Sequence, residues 1–217
     1  MYLPAQFPEE RVDVLTELIR AHSVATFVTF SGGKLTANHI PMRIVASPAP
    51  FGTLRAHVAR ANPLWRDIAA GTDALAIFQG PNLYISPSHY ATKHETGKAV
   101  PTWNYTVVHA HGTLRAIDDP RWLREFLEGL TDQHESARTV PWKISDAPHD
   151  FINAQLKAIV GLELTITDLV GKWKISQNRL PIDRQSTIDS LRIDATPAAT
   201  AMAMLIEQAF KGTPSRS

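Results

Sequence analysis

The chain has 217 residues, with 22 Lys+Arg against 21 Asp+Glu, a formal net charge of +1 and no cysteine. A near-neutral balance disfavours DNA binding through bulk charge, and the missing cysteines exclude disulfides, iron–sulfur clusters, thiolate zinc sites and thiol nucleophiles. With 44% hydrophobic and 20% charged residues the composition is that of a globular chain, which sets aside disordered and fibrous classes.

The N-terminus, MYLPAQFPEE, has neither a basic n-region nor an apolar h-region. No stretch approaches about 18 uninterrupted apolar residues, so a cytoplasmic protein without a membrane span is expected. Pro8-Glu9-Glu10 ahead of Val12, Leu15, Leu18 and Ile19 gives acids in a first turn and apolar residues at helical spacing, which predicts a helix over 8–21. Val24 to Phe30 is a β-branched and aromatic run closed by Ser31-Gly32-Gly33-Lys34, and Leu35 to Val45 alternates after it. That is a hairpin, and Pro41, lacking a ladder donor, puts the second strand at an edge or a bulge. Gly52 to Val58 is a third strand with Thr53, Arg55 and His57 on one face. Asn62-Pro63 opens a short helix through Leu64, Trp65 and Ile68; Asp73 to Gln79 is an apolar strand bounded by Gly80-Pro81-Asn82 and extended beyond that turn by Tyr84 and Ile85.

The longest strand, Thr102 to Ile117, carries Trp103, Tyr105, Val107, His109, His111 and Thr113 on one face and Asn104, Thr106 and Val108 on the other. Asp118-Asp119-Pro120 starts a helix over 119–137. Residues 138–150 read as a loop carrying Trp142, Phe151 to Lys157 as a short helix and Val160 to Leu169 as the last strand. Pro181 to Arg192 and Pro197 to Phe210 read as helices, the second capped by Thr196, before a frayed tail KGTPSRS. Short strands at regular spacing, with helices at hairpin ends and termini, predict a mainly β, α+β fold: an antiparallel barrel with flanking and C-terminal helices.

The motifs of serine hydrolases, P-loop proteins, dinucleotide-binding folds and H-E-x-x-H zinc sites are absent. His109-Ala-His111 sets two imidazoles about 7 Å apart on one strand face. No third ligand or carboxylate falls at ligand spacing, so no metal site is expected. Gly80 to Tyr90, continuing to Lys93, is dense in hydroxyls and aromatics and suits a phosphate or a planar ring. Val100 to Tyr105, then Val108 to Gly112, alternates aromatic and amide groups, which suits a flat heteroaromatic ligand or plain aromatic packing at a barrel rim. Lys172 to Arg179 packs three cations and two amides into eight residues, fitting an anion or a solvated basic turn. Arg55 beside His57 is a further phosphate candidate, or an ordinary ion-pair partner.

Taken together, these segments resemble the PaiB family of negative transcriptional regulators, FMN-binding split β-barrels related to pyridoxamine-phosphate oxidase. The resemblance is carried by Met1-Tyr2 and Pro4, by Ala37-Asn38-His39-Ile40-Pro41, by the run from Leu54 to Pro63, by both unusual loops, by Lys174-Ile175-Ser176-Gln177-Asn178-Arg179 and by Asp183-Arg184. It assigns 1–190 to the FMN-binding split-barrel domain and 191–217 to a C-terminal helix and tail. It departs at His89, where a Trp is expected, and at Gln185-Ser186-Thr187, where an acidic residue, Gly and Val are.

The resemblance implies FMN as cofactor and a homodimer closed across the open side of the barrel, with two equivalent flavin sites at the interface. On that footing Arg55 and Lys93 offer cations to the phosphate, Ser88 and Tyr90 offer hydroxyls to the phosphate or ribityl chain, and Trp103 with Asn104 supplies a wall and an amide for the ring. His57 shares the strand face of Arg55. Lys174, Gln177, Asn178 and Arg179 close the pocket, with the neighbouring subunit as one source. The implied function is a homodimeric repressor. The alternative is an FMN-dependent oxidoreductase of the pyridoxamine-phosphate-oxidase-like class, in which His57, His109 or Tyr105 are candidates to move protons and no catalytic residue is assigned. A haem-handling barrel with a histidine axial ligand is a third reading. Direct DNA contact is disfavoured, because the second of the tandem C-terminal helices carries only Lys211 as a cation.

Overall fold

The computed structural model describes residues 1–66, 68 and 71–211, and only the backbone at 94, 210 and 211. The tail expected to fray lies outside these residues, apart from Lys211. In chain order the elements are β1 (Pro8–Glu9), α1 (Val12–Ala21), β2 (Val24–Ser31), β3 (Lys34–Pro41), β4 (Arg43–Val45), β5 (Thr53–Ala59), β6 (Thr72–Ile85), α2 (Lys93–Thr96), β7 (Thr102–Ile117), α3 (Pro120–Glu135), α4 (His149–Lys157), β8 (Ile159–Lys174), α5 (Pro181–Asp194) and α6 (Pro197–Lys211). Short 3-10 turns lie at Pro63–Trp65, Pro87–His89 and Ile144–Asp146. The strands form a sheet in the order β3-β2-β6-β7-β8-β5-β4, with β1 added on β8. This is the antiparallel split-barrel topology with flanking and C-terminal helices. The chain divides into two compact units, one of Met1–Arg11, Gln79–Val108 and Val170 onward, the other of Val12–Phe78 and His109–Leu169.

In the second unit β2 turns Ala25, Phe27 and Thr29 inward by strand alternation. It pairs antiparallel with β3 from Val24↔Pro41 to Ser31↔Lys34. The two turn residues are Gly32 and Gly33 at φ 57° and 75°, a conformation that suits the twist of a tight hairpin and that glycine adopts without steric penalty. β3 is an edge strand, as Pro41 requires; the run expected to continue to Val45 breaks at Met42, whose N–H donates to the Ser23 carbonyl at 2.8 Å. Helix α3 starts where Asp119 accepts from the Arg121 N–H and buries Leu123 and Phe126. Each such side chain contributes about 1.5–3 kcal/mol of transfer free energy.

The first unit corrects several sequence expectations. Pro8 and Glu9 do not open a helix; they pair with Lys172 and Gly171 of β8. The Glu9 carboxylate accepts from the Arg11 N–H and guanidinium just before α1 begins. β8 therefore runs to Lys174, five residues past the predicted end. β6 also continues unbroken through Gly80-Pro81-Asn82. The C-terminal helices pack Ile188 and Leu191 of α5 and Ala199, Met202, Ala203 and Ile206 of α6 out of solvent. Ala195, at φ 49°, ends α5, and the Thr196 hydroxyl caps α6 by accepting from the Ala199 N–H. Among the described residues no helix is long and apolar enough to cross a membrane.

Candidate functional site

Arg55 and His57 stand on β5 in the second unit, on the face where Glu163 and Gly161 of β8 are their register partners. Helix α3 covers this face. Phe126 meets the His57 ring edge-on at 5.8 Å and stacks on Trp122 at 5.4 Å, while the Arg55 guanidinium lies over the Trp122 ring at 5.5 Å. Gly161 leaves the space that the Trp122 ring fills. Arg55 donates from Nε to Glu163 Oε2 at 3.0 Å, and Arg115 holds the other oxygen of the same buried carboxylate.

Burial lowers the His57 pKa, and its Nδ1 is buried without a partner among the described residues. The folded chain therefore favours neutral His57, and the unfolded chain binds the extra proton once pH falls through the ordinary imidazole value of about 6.5. Stability is full above that value and declines below it. Urea midpoints at pH 7.5 and 5.5 should show a smaller acid-side loss in His57→Leu than in the natural sequence; equal losses would rule this group out as a source of the pH dependence.

The same unit carries a groove of about 580 Å³ that includes none of the eleven predicted site residues. Thr29, Thr36, Asn38 and Lys34 of the β2–β3 hairpin form one wall, and Asn62 and Leu64 stand among the residues lining the rest. Asn62 caps the short turn by accepting from the Leu64 N–H, and its Nδ2 donates to Asn38 Oδ1 at 3.2 Å. Both asparagines lie in runs that carry the family resemblance. His109 and His111 stand with ring centroids 6.3 Å apart, and no group of three or more His, Asp or Glu among the described residues is arranged to hold a metal.

The other nine predicted residues lie in the first unit. Trp103 is 54% exposed and meets Tyr84 edge-on at 6.0 Å. Asn104 is buried: its Nδ2 donates to Ser176 Oγ at 2.8 Å, supporting a turn in which Ser176 adopts φ 65°. Asn104 Oδ1 and Thr106 Oγ1 beside it are buried without partners among the described residues. Gln177 folds back on the same turn, accepting from the Ile175 N–H and donating to the Trp173 carbonyl. Asn178 is exposed. Lys174 donates to Thr102 Oγ1, and Lys172, buried, donates to the Tyr2 carbonyl at 3.1 Å between the Tyr2 and Tyr105 rings. The Arg179 guanidinium lies 4.4 Å from the centre of the buried Tyr90 ring. Burial pushes the Tyr90 phenol up in pKa, with the Arg179 charge opposing. Among the described residues Lys172, Lys174 and Arg179 have no carboxylate within 4.0 Å. Ser88 and Lys93 are exposed on the segment that passes Tyr90, and Ser88 Oγ donates to Ser86 Oγ.

Residues 1–168 match the family described as "Putative FMN-binding domain". The chain is also 32% identical to "Protease synthase and sporulation protein PAI 2" of Bacillus subtilis, over 97% of this chain and 99% of that one. The chain belongs to this FMN-binding family. Two solved structures are similar: the FAD and haem binding protein of Mycobacterium smegmatis, with a TM-score of 0.58 at 19% identity over 78% of this chain and 73% of that one, and the flavocytochrome Anf3 of Azotobacter vinelandii, with a TM-score of 0.54 at 15% identity over 76% and 68%. At these identities they show the shared fold. Within the first unit the donor chemistry fits the family's cofactor: cations with no acid partner among the described residues for a phosphate, and an exposed indole for a ring.

Proposed function

We propose that the chain is an FMN-binding oxidoreductase of the pyridoxamine-phosphate-oxidase-like class, working as a homodimer with its flavin at the subunit interface. The observation that carries this reading is the run from Lys172 to Arg179, in which three cations lack acid partners among the described residues beside exposed Trp103 and Tyr84. Burying such charges without a counter-ion is costly, and an anionic ligand removes that cost. Lys174 and Arg179 hold the anion, Trp103 walls the ring, and Asn104 and Gln177 keep the turn between Lys174 and Arg179 in shape. In the dimer the cationic run lies at the subunit interface. Bound flavin supplies hydride and electron transfer, and the protein supplies position and electrostatics. The two similar structures, a FAD and haem binding protein and a flavocytochrome, support redox use of this fold. The sequence of α6 contains Lys211 as its one cation, which argues against that helix reading DNA.

Equilibration with FMN followed by desalting tests the reading. A retained flavin band near one per subunit is expected, with bleaching by a reduced nicotinamide nucleotide under anaerobic conditions. A colourless product overturns flavin binding, and a band that no reductant bleaches overturns the oxidoreductase. Trp103→Ala should weaken FMN about tenfold, as the loss of a stacking contact worth roughly 0.5–1.5 kcal/mol beyond its buried area predicts, at unchanged thermal midpoint.

A further inference from the structure

We infer that α5 is a positioning element of the flavin site, and that Asp183 and Ser186, neither of them a flavin contact, set the conformation of the 86–92 segment, whose Tyr90 ring backs the Arg179 guanidinium that holds the anion. This rests on the flavin reading above. The segment has little regular structure of its own: a single 3-10 turn at Pro87–His89, held by the Ser86 hydroxyl accepting from the Ser88 N–H. Four further polar groups around Tyr90 are bonded by α5. Asp183, 5% exposed, accepts at one oxygen from the Thr92 N–H and at the other from the Thr92 hydroxyl, both at 2.9 Å. Ser186 Oγ donates to the His89 carbonyl at 2.6 Å and accepts from the Ala91 N–H at 3.0 Å.

These four bonds fix the backbone on both sides of Tyr90, whose ring is buried against the Arg179 guanidinium. A buried carboxylate that accepts two hydrogen bonds is costly to leave half-satisfied, so the pairing is either made or the segment lifts away. A third contact stands at the far end of the helix, where His89 Nε2 lies 3.8 Å from the Asp194 carboxylate. The segment thus runs along α5 from Asp194 to Asp183. Gln185-Ser186-Thr187, one of the two places where the family resemblance departs, supplies a hydroxyl to this clamp from the second turn of α5.

The test compares Asp183→Ala, Asp183→Asn and Ser186→Ala for FMN affinity and for hydrogen exchange of the Ala91 and Thr92 amides in FMN-free protein. Asp183→Ala should weaken FMN about tenfold, the factor that about 1.4 kcal/mol corresponds to, and should raise exchange at both amides about tenfold. Asp183→Asn should retain most of the affinity, because the Asn carbonyl accepts from the Thr92 N–H and its amide donates to the hydroxyl. Where Asp183→Ala lowers the folded yield, Ser186→Ala and Thr92→Val each remove part of the clamp and take its place. Exposed amides with FMN affinity unchanged overturn the positioning role. If the natural sequence itself takes up no FMN, the flavin reading fails and with it the positioning of a flavin contact; amides that remain protected in Asp183→Ala overturn the clamp separately.

Discussion

Gly112→Ala should lower the thermal unfolding midpoint by about 5–10 °C, a loss of roughly 2–3 kcal/mol for a chain of this length. Gly112 is buried in β7, and a Cβ there would fall far inside contact of the Thr165 carbonyl oxygen of β8, with the Thr165 carbonyl carbon at 2.9 Å and Leu164 Cγ at 3.0 Å. The obstacle is backbone, which a rotamer change cannot move aside. β8 is held on its other side as well, since Thr165 is the register partner of Thr53 and the Ile166 N–H donates to the Gly52 carbonyl at 3.1 Å. Relief therefore requires two strands to part. The reduced freedom of the unfolded alanine chain returns only about 0.4–1 kcal/mol. Gly129→Ala is the comparison: the added methyl there meets the guanidinium of Arg43, the far end of a flexible side chain. It should change the midpoint by less than half as much. Equal midpoints for the two variants would refute the close approach of β7 and β8.

The parts of this fold that were legible in sequence are those whose pattern is local. β7 reads directly because Trp103 and Tyr105 alternate with Asn104 and Thr106 and no helix or turn signal interrupts the run to Ile117, and α3 because Asp119 and Pro120 mark its start ahead of Trp122, Leu123 and Phe126. The failures lie where a tertiary partner decides. Pro8-Glu9-Glu10 has the chemistry of a helix start, yet two of these residues complete a ladder with β8 that no nearby residue announces. The end of β8 was misplaced for the same reason, because Asp168, Gly171 and Lys172 interrupt the alternation and pairing with neighbouring strands, β1 among them, carries the strand on.

The candidate site divides in the same way. Trp103 was readable as chemistry because aromatic and amide groups alternate around it, and Lys174 and Arg179 because three cations and two amides stand within eight residues. Asn38 and Asn62 were readable only as members of matched runs; their meeting across the groove is tertiary. Asp183 was readable only as a member of a matched run and Ser186 only as part of a helix, since their partners lie more than ninety residues earlier.

Glu163→Ala should cost about 3 kcal/mol, and the loss should be shared with Arg55. The Glu163 side chain is 7% exposed and carries Arg55 on one oxygen and Arg115 on the other. Arg115 is 64% exposed and rehydrates when the carboxylate goes. Arg55 is 23% exposed and pressed against Trp122, and its remaining acid, Glu125, stands 3.7 Å away and is mostly solvated. Removing one member of a buried pair leaves the other charge uncompensated, which typically costs about 3–5 kcal/mol; partial solvent access puts this pair at the lower end. Arg55→Met in the Glu163→Ala background should then cost little more, giving a coupling of about 1–2 kcal/mol in a denaturant double-mutant cycle. Additive losses would show that the pair does not act as a unit. The same single variant separates two roles for Arg55. If the guanidinium holds α3 and β8 together, Arg55→Met lowers stability while FMN affinity changes little; if it serves the flavin phosphate, affinity falls first and the denaturation midpoint stays in place.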